Sequence, residues 1–215
     1  MSHTIICLLD KEYPPEHSFV DGMLASELAK VPSVHVILVV SRGKTERRVR
    51  RYGKAVCLPI LYPRRRLGRI LNFLIGWDML RYLVKRQQLR RRRVSLFVRN
   101  DPILLLAAAF VRKRVNRLVF QSSFPHEELS SIWIKGAIAK MLYRMSSRAV
   151  DAVTAVSPLG LQRVRRLFPG VKDGCYIPLL ADLQCVGPAT RNGHDRNGVD
   201  RPVFVYIGTH NARRE

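Results

Sequence analysis

Short apolar or β-branched runs alternate with longer stretches of helical periodicity along most of this chain. Thr4–Leu9 and Val34–Val40 read as strands, with a helix over Val20–Val31 between them. Ala55–Ile60 reads as a further strand, followed by a long helical region from Leu67 to about Leu89. Val94–Val98, a helix after Pro102, Arg117–Gln121 and a helix from about Ser130 to Ser146 continue the series. Ala152–Val156, a helix over Pro158–Phe168 and Cys175–Pro178 close it. Strands with no polar face need cover on both sides, and crossover helices provide it. The pattern therefore predicts an α/β fold, a doubly wound and mainly parallel sheet.

In such a sheet, ligands bind past the carboxyl ends of the strands. The stretch LVFQSSFPHEE, residues 118–128, runs from an apolar strand into Gln121, Ser122, Ser123, His126, Glu127 and Glu128, with Pro125 breaking the strand. RNDP, residues 99–102, ends another strand with Arg99, Asn100 and Asp101. Each cluster has a plainer reading. A lone histidine is more often structural than chemical, and acids ahead of a helix favour its N-terminus. Two polar strand ends together are harder to dismiss than one.

The loop Tyr13–Gly22 follows the first strand and feeds a helix N-terminus, which favours anions. It carries no glycine-rich dinucleotide or phosphate-loop fingerprint. Ser157 followed by Pro158 is a good helix start, a serine cap and then proline in the first turn. The same helix start can also aim free N–H groups at a ligand.

Charge narrows the partners. The 215 residues carry 38 Lys+Arg against 16 Asp+Glu, a formal net charge of +22. A surface so basic suits nucleic acid, anionic lipid or phosphorylated substrates. The segment from Arg64 to Arg93 concentrates it, with Arg64, Arg65, Arg66, Arg69, Arg81, Lys85, Arg86, Arg90, Arg91, Arg92 and Arg93 around the single acid Asp78. Between the basic ends, Leu67–Val84 is apolar almost all round and includes Phe73, Trp77 and Tyr82. It is too short to span a bilayer, so it is either core or an interfacial helix with its arginines on lipid phosphates and Trp77 at headgroup depth. Nucleic-acid binding wants aromatics exposed among the basic residues, and here they sit inside the apolar run, which disfavours it. Cys7, Cys57, Cys175 and Cys185 have no metal-ligand spacing, and three of them lie in apolar runs, where cysteine behaves as a small hydrophobe in a reducing compartment.

Composition changes from Gln184 to Pro202, where Gly, Asn, Asp and Pro dominate and periodicity vanishes. The expected organisation is a domain over residues 1–183, a linker over 184–202 and the start of a second domain over 203–215. VFVYIGTH reads as that domain's first strand, and a lone strand cannot bury both faces, so the C-terminus reads as truncated.

The order of these pieces carries a resemblance. YPPE…LASELA, VHVILVV, RNDP, LVFQSSFPHEE, RAVDAVTAVSPLGLQRV, IPLLAD and VFVYIGTHNARRE together resemble the family 4 glycosyltransferases of the GT-B fold. The similarity runs from about Thr4 to the last residue and covers that family's N-terminal, Rossmann-like half. It implies sugar transfer from a nucleotide-sugar donor to an acceptor held by the N-terminal domain, with no metal or other cofactor. A lipid-linked saccharide and cell-surface polysaccharide synthesis are the family's usual setting, at the cytoplasmic, inner face of the cell membrane.

By the same resemblance His126 is the catalytic candidate, and Arg99, Asn100, Gln121 and Glu127 line the acceptor side. Gly22, Ser157, Gly208, Arg213 and Arg214 belong to the donor side. Arg64, Arg65, Arg66, Trp77 and Arg90–Arg93 form a membrane patch. The family's double glycine in the first loop is replaced here by PPEHSFVDG, and its donor pocket lies beyond Glu215. The chain is therefore expected to be inactive without a second domain or partner chain. The competing expectation is a non-catalytic basic domain that binds membrane or nucleic acid.

Overall fold

A computed structural model describes residues 2–13, 31–43, 49–52, 55–59, 68–123 and 133–177. Within these residues the strands are β1 (His3–Tyr13), β2 (Val34–Gly43), β3 (Arg50–Tyr52), β4 (Ala55–Pro59), β5 (Arg93–Arg99), β6 (Arg117–Ser122), β7 (Ala152–Ala155) and β8 (Asp173–Tyr176). The helices are α1 (Gly68–Leu89), α2 (Pro102–Phe110), α3 (Trp133–Ser146) and α4 (Pro158–Leu167).

The eight strands form one sheet in the order β3-β4-β2-β1-β5-β6-β7-β8. Every neighbouring pair is parallel except β3–β4. The fold class expected from the alternation of runs is therefore observed. Strand order reverses at β1, which lies between β2 and β5, and this places the topological switch point above the β1–β5 pair.

Side chains alternate across the sheet with period two. On one face Ile6, Leu8, Val94, Leu96, Val98, Leu118, Phe120 and Val153 pack against buried residues of α1, α2, α3 and α4, including Leu80, Leu105, Tyr143 and Val164. Cys7, Leu9, Val36, Ala55, Cys57 and Phe97 form the core of the other face. Tyr143, Phe120 and Phe168 meet ring to ring, with centroids 5.3 to 5.7 Å apart, and lock α3 and α4 onto β6.

Two differences from expectation are instructive. The hairpin partner β3, of sequence RRY, has only three residues and is too short and too basic to show alternation. Cys175, expected in an apolar run, is exposed on β8, whose outer side has no neighbouring strand among the described residues. The helix expected over Val20–Val31 begins outside the described residues, as does Cys185.

Candidate functional site

The carboxyl ends of β5 and β6 lie side by side, because these strands pair in parallel with Arg99 opposite Gln121. The same register continues to β7, where Thr154 stands opposite Gln121, and back to β1, where Leu9 stands opposite Arg99. Leu9 and Phe97 belong to the second-face core, so Arg99, Gln121 and Thr154 point to that face as a polar row at the edge of an apolar layer.

All three are buried: Arg99 is 2% exposed, Gln121 0% and Thr154 4%. Burial lowers the Arg99 pKa to about 10, which leaves the guanidinium charged at neutral pH. Its Nε donates to Ser123 Oγ at 3.1 Å. Among the described residues, neither Oε1 nor Nε2 of Gln121 has a hydrogen-bond partner, and neither does the Thr154 hydroxyl. Unsatisfied buried polar groups are uncommon and costly, so three such atoms on facing residues, one and two strands beyond Arg99 at the switch point, mark a candidate ligand-binding place.

The residues that follow Arg99 shape the turn. Asn100 adopts φ 61°, a left-handed conformation that asparagine tolerates better than most residues. Its Oδ1 accepts from the Ser123 backbone N–H at 2.6 Å, tying the exit of β6 to the exit of β5. Its carbonyl accepts from the Tyr143 hydroxyl at 3.3 Å. Asp101 caps α2, with Oδ1 accepting from Ile103 N at 2.7 Å and Leu104 N at 3.2 Å. Pro102 then opens the helix. RNDP is thus one buried cation, one left-handed hinge, one cap and one helix start.

Ser157 caps α4, its Oγ accepting from Gly160 N at 3.1 Å. A Cβ added at Gly160 would stand 3.1 Å from that same oxygen. Asp151, the aspartate of the RAVDAVTAVSP stretch, lies at the opposite, amino end of β7. Its Oδ2 accepts from Leu118 N at 2.7 Å and its Oδ1 pairs with Arg112 at 2.6 Å, so it works as a strand clamp.

Arg99, Asn100 and Gln121 are therefore brought together, and Thr154 joins them. Thr154 was not singled out from sequence, although a lone hydroxyl in the run AVTAV was the available signal. His126, Glu127, Gly22, Gly208, Arg213, Arg214 and Arg64–Arg66 lie outside the described residues, as do the linker and the segment after it.

The remaining membrane candidates separate in space. Trp77 is half-buried, 6.3 Å from the Phe110 ring of α2, with the Arg81 guanidinium 5.0 Å from its ring centroid. Arg90–Arg93 form the turn from α1 into β5, at the amino edge of the sheet. Arg91 N bonds to Gln88 O at 2.8 Å and Arg92 N to Gln87 O at 3.2 Å, a Schellman closure with Arg91 at the left-handed position. No helix among the described residues is long and apolar enough to cross a membrane. No cluster of His, Cys, Asp or Glu among them is arranged to hold a metal ion.

No protein-family model matches the chain, and no curated protein matches its sequence. Solved structures do match its fold. A sucrose-phosphate synthase fragment from Thermosynechococcus elongatus superposes with TM-score 0.58 at 11% identity, over 86% of this chain and 93% of that one. The longer synthase structure from the same organism gives TM-score 0.62 at 10% identity, over 82% of this chain and 48% of its own. A UDP-glucosyltransferase from Polygonum tinctorium gives TM-score 0.51 at 16% identity, over 91% and 56%. The fold is a Rossmann-like GT-B domain. This GT-B-like domain spans about half the length of the last two structures.

Proposed function

We propose that this chain is the acceptor-binding, N-terminal part of a GT-B glycosyltransferase. It moves a sugar from a nucleotide-sugar donor to a lipid-linked saccharide in cell-surface polysaccharide synthesis, at the cytoplasmic face of the cell membrane. The observation that carries this reading is the buried row Arg99–Gln121–Thr154, which runs from the switch point of a GT-B-like domain across β6 to β7 and carries an unpartnered amide and hydroxyl. Sugar hydroxyls both donate and accept, and an amide beside a hydroxyl matches them in both roles.

In this reading Gln121 and Thr154 hold acceptor hydroxyls, and Arg99 supplies a fixed positive charge beside them. Glu127 completes the acceptor wall, and His126 takes the proton from the attacking hydroxyl. Gly22 and Ser157 approach the donor from this domain, while Gly208, Arg213 and Arg214 do so from the segment after the linker. Helix N-termini and basic side chains neutralise the leaving diphosphate, so no metal is required. Residues 1–183 supply the acceptor side and only part of the donor side, and turnover needs a donor domain, in the same polypeptide or a partner.

The test pairs the chain with whatever polypeptide its reading frame supplies beyond Glu215. Release of nucleoside diphosphate is measured over a panel of nucleotide sugars, with and without a membrane lipid extract. Expected is lipid-dependent release that falls at least ~10-fold in Gln121→Leu, the scale of one lost hydrogen-bonding group in a buried site. Absence of acceptor-dependent release across the panel would overturn the reading.

A further inference from the structure

The transferase reading uses the carboxyl edge of the sheet and leaves a dense run of cations at the opposite, amino edge unexplained. Arg90–Arg93 lead into β5, and Arg112–Arg114 and Arg117 lead into β6. Because β5 to β8 pair in parallel, these turns lie at one edge, where Arg148 and Lys172 extend the row to the starts of β7 and β8. Arg90, Arg91, Arg93, Lys113, Arg114 and Arg117 are all exposed. Among the described residues the acids at this edge of β5–β8 are Asp151 and Asp173, and Asp151 is already engaged by Arg112 and the Leu118 N–H.

The cations stand on a fixed base. Gln88 Nε2 donates to Arg114 O at 2.7 Å, which joins the turn after α1 to the turn before β6. Asn116 N donates to Val94 O at 2.8 Å, and Asn116 Oδ1 accepts from Val94 N at 3.3 Å. Arg91 adds an independent sign. It holds the left-handed position of its turn at φ 54°, where glycine is free of strain. Backbone strain kept on an exposed, charged residue points to a use for the charge.

The chemistry selects the partner. All of the exposed cations named above but Lys113 are arginine, whose planar fork meets phosphate oxygens two at a time. A protein partner would want an apolar centre depleted of charge, whereas the turns RRRR and RKRVNR expose cations and Asn116. A bilayer fits no better, because an acceptor held in it must meet the carboxyl edge, which faces the other way. Neither turn carries an aromatic residue, so bases have nothing to stack on and contact is with the backbone. At roughly 4.8 Å per strand the starts of β5 to β8 span about 14 Å, enough for several phosphates of a duplex with one charge per about 1.7 Å of axis.

We infer that the amino edge of the sheet binds the phosphodiester backbone of double-stranded nucleic acid, whatever its base sequence, through Arg90, Arg91, Arg93, Lys113, Arg114 and Arg117. This surface is separated from the Arg99–Gln121–Thr154 row by the length of the strands. It does not rest on the transferase reading.

The experiment is fluorescence anisotropy of a labelled DNA duplex of about 20 base pairs with the 215-residue chain, between about 50 and 200 mM salt. Arg90→Gln with Arg93→Gln, and separately Lys113→Gln with Arg114→Gln, are expected to weaken binding at least ~10-fold at the lower salt. Each pair should also reduce the slope of log K against log salt by about 2, the contribution of two phosphate contacts. Arg81→Gln with Lys135→Gln removes the same charge elsewhere and is expected to change binding less than ~3-fold. Arg91→Gly should bind ~3-fold or more weakly while its Tm does not fall, which separates lost charge from lost fold. The inference is overturned if the chain ignores the duplex at about 50 mM salt, if the edge variants bind as the wild type does, or if the Arg81–Lys135 pair weakens binding as much as they do. It is also overturned if phosphatidylglycerol vesicles or polyglutamate displace the duplex as well as unlabelled duplex does at equal charge. Those outcomes would assign the edge to lipid or to an acidic protein. Duplex binding by a chain that fails the diphosphate-release assay overturns only the transferase reading and leaves this inference standing.

Discussion

Gln121 stands directly opposite Thr154 on the β6–β7 ladder, and neither side chain has a hydrogen-bond partner among the described residues although both are buried. Held for stability alone, such a pair would be selected against, since an unsatisfied buried polar group costs about 1–3 kcal/mol. Gln121→Leu and Thr154→Val keep the approximate shape and remove the orphaned atoms. Each is expected to leave stability unchanged or raise it by about 1 kcal/mol, a gain of roughly 2–4 °C in Tm for a domain of this size. Thermal melts of the two variants check this. A loss of several degrees would mean that the two side chains are already satisfied and are not poised for a ligand.

Asn100 links two strand exits through one side chain, and its left-handed φ adds a second constraint. Asn100→Ala loses the bond to Ser123 N and puts at φ 61° a residue that tolerates the left-handed region less well than asparagine. The expected cost is about 2 kcal/mol, from the unpaired N–H and the strained conformation together. Asn100→Gly relieves the conformation but not the lost acceptor and should fall between wild type and alanine. Urea unfolding midpoints separate the three. Equal losses in glycine and alanine would assign the whole cost to the hydrogen bond.

Much of this architecture is legible in the chain because burial on both faces forces continuous apolar strands and crossover helices impose the spacing between them. Helix α1 begins at Gly68 and ends at Leu89, close to the region expected from Leu67 to Leu89. What escaped was relational. Thr154 looks like a strand residue until the β6–β7 register sets it opposite Gln121, and register is not written in either strand alone. Trp77 and Trp133 both sit near basic residues in sequence, yet Trp77 packs against Phe110 while Trp133 projects outward. Helix α3 shows why. With Ala139 and Gly136 inside and Ile138 and Met141 outside, its small residues take the close packing, and composition alone suggests the reverse.

Arg91 occupies the position after α1 where a left-handed backbone closes the Schellman turn, and its φ is 54°. Glycine meets that demand without a Cβ penalty. The Arg91 side chain is exposed, so little packing is lost with it. Arg91→Gly should therefore stabilise the chain by up to about 1 kcal/mol, after allowing for the greater freedom glycine brings to the unfolded state. Arg91→Ala, with the Cβ retained, should not. A glycine variant no more stable than the alanine one would show that the turn is not strained at this residue.

His3 contributes a pH dependence at the amino edge. Its Nε2 lies 2.9 Å from Ser95 Oγ, and burial first, then the nearby Arg93 charge, hold its pKa below 6.5. The folded state thus disfavours the protonated ring that the unfolded chain accepts readily. Between the folded and unfolded pKa values the unfolded state binds more protons, so stability rises with pH through that window. Above 6.5 the ring is neutral in both states and the penalty is absent; below the folded pKa it is fully present. His3→Gln keeps a hydrogen-bonding side chain near Ser95 and removes the titration. Urea midpoints at pH 7.5 and pH 5.0 should show a larger acid loss in the wild type than in His3→Gln. Equal losses would show that the His3 ring is not the source of the acid sensitivity.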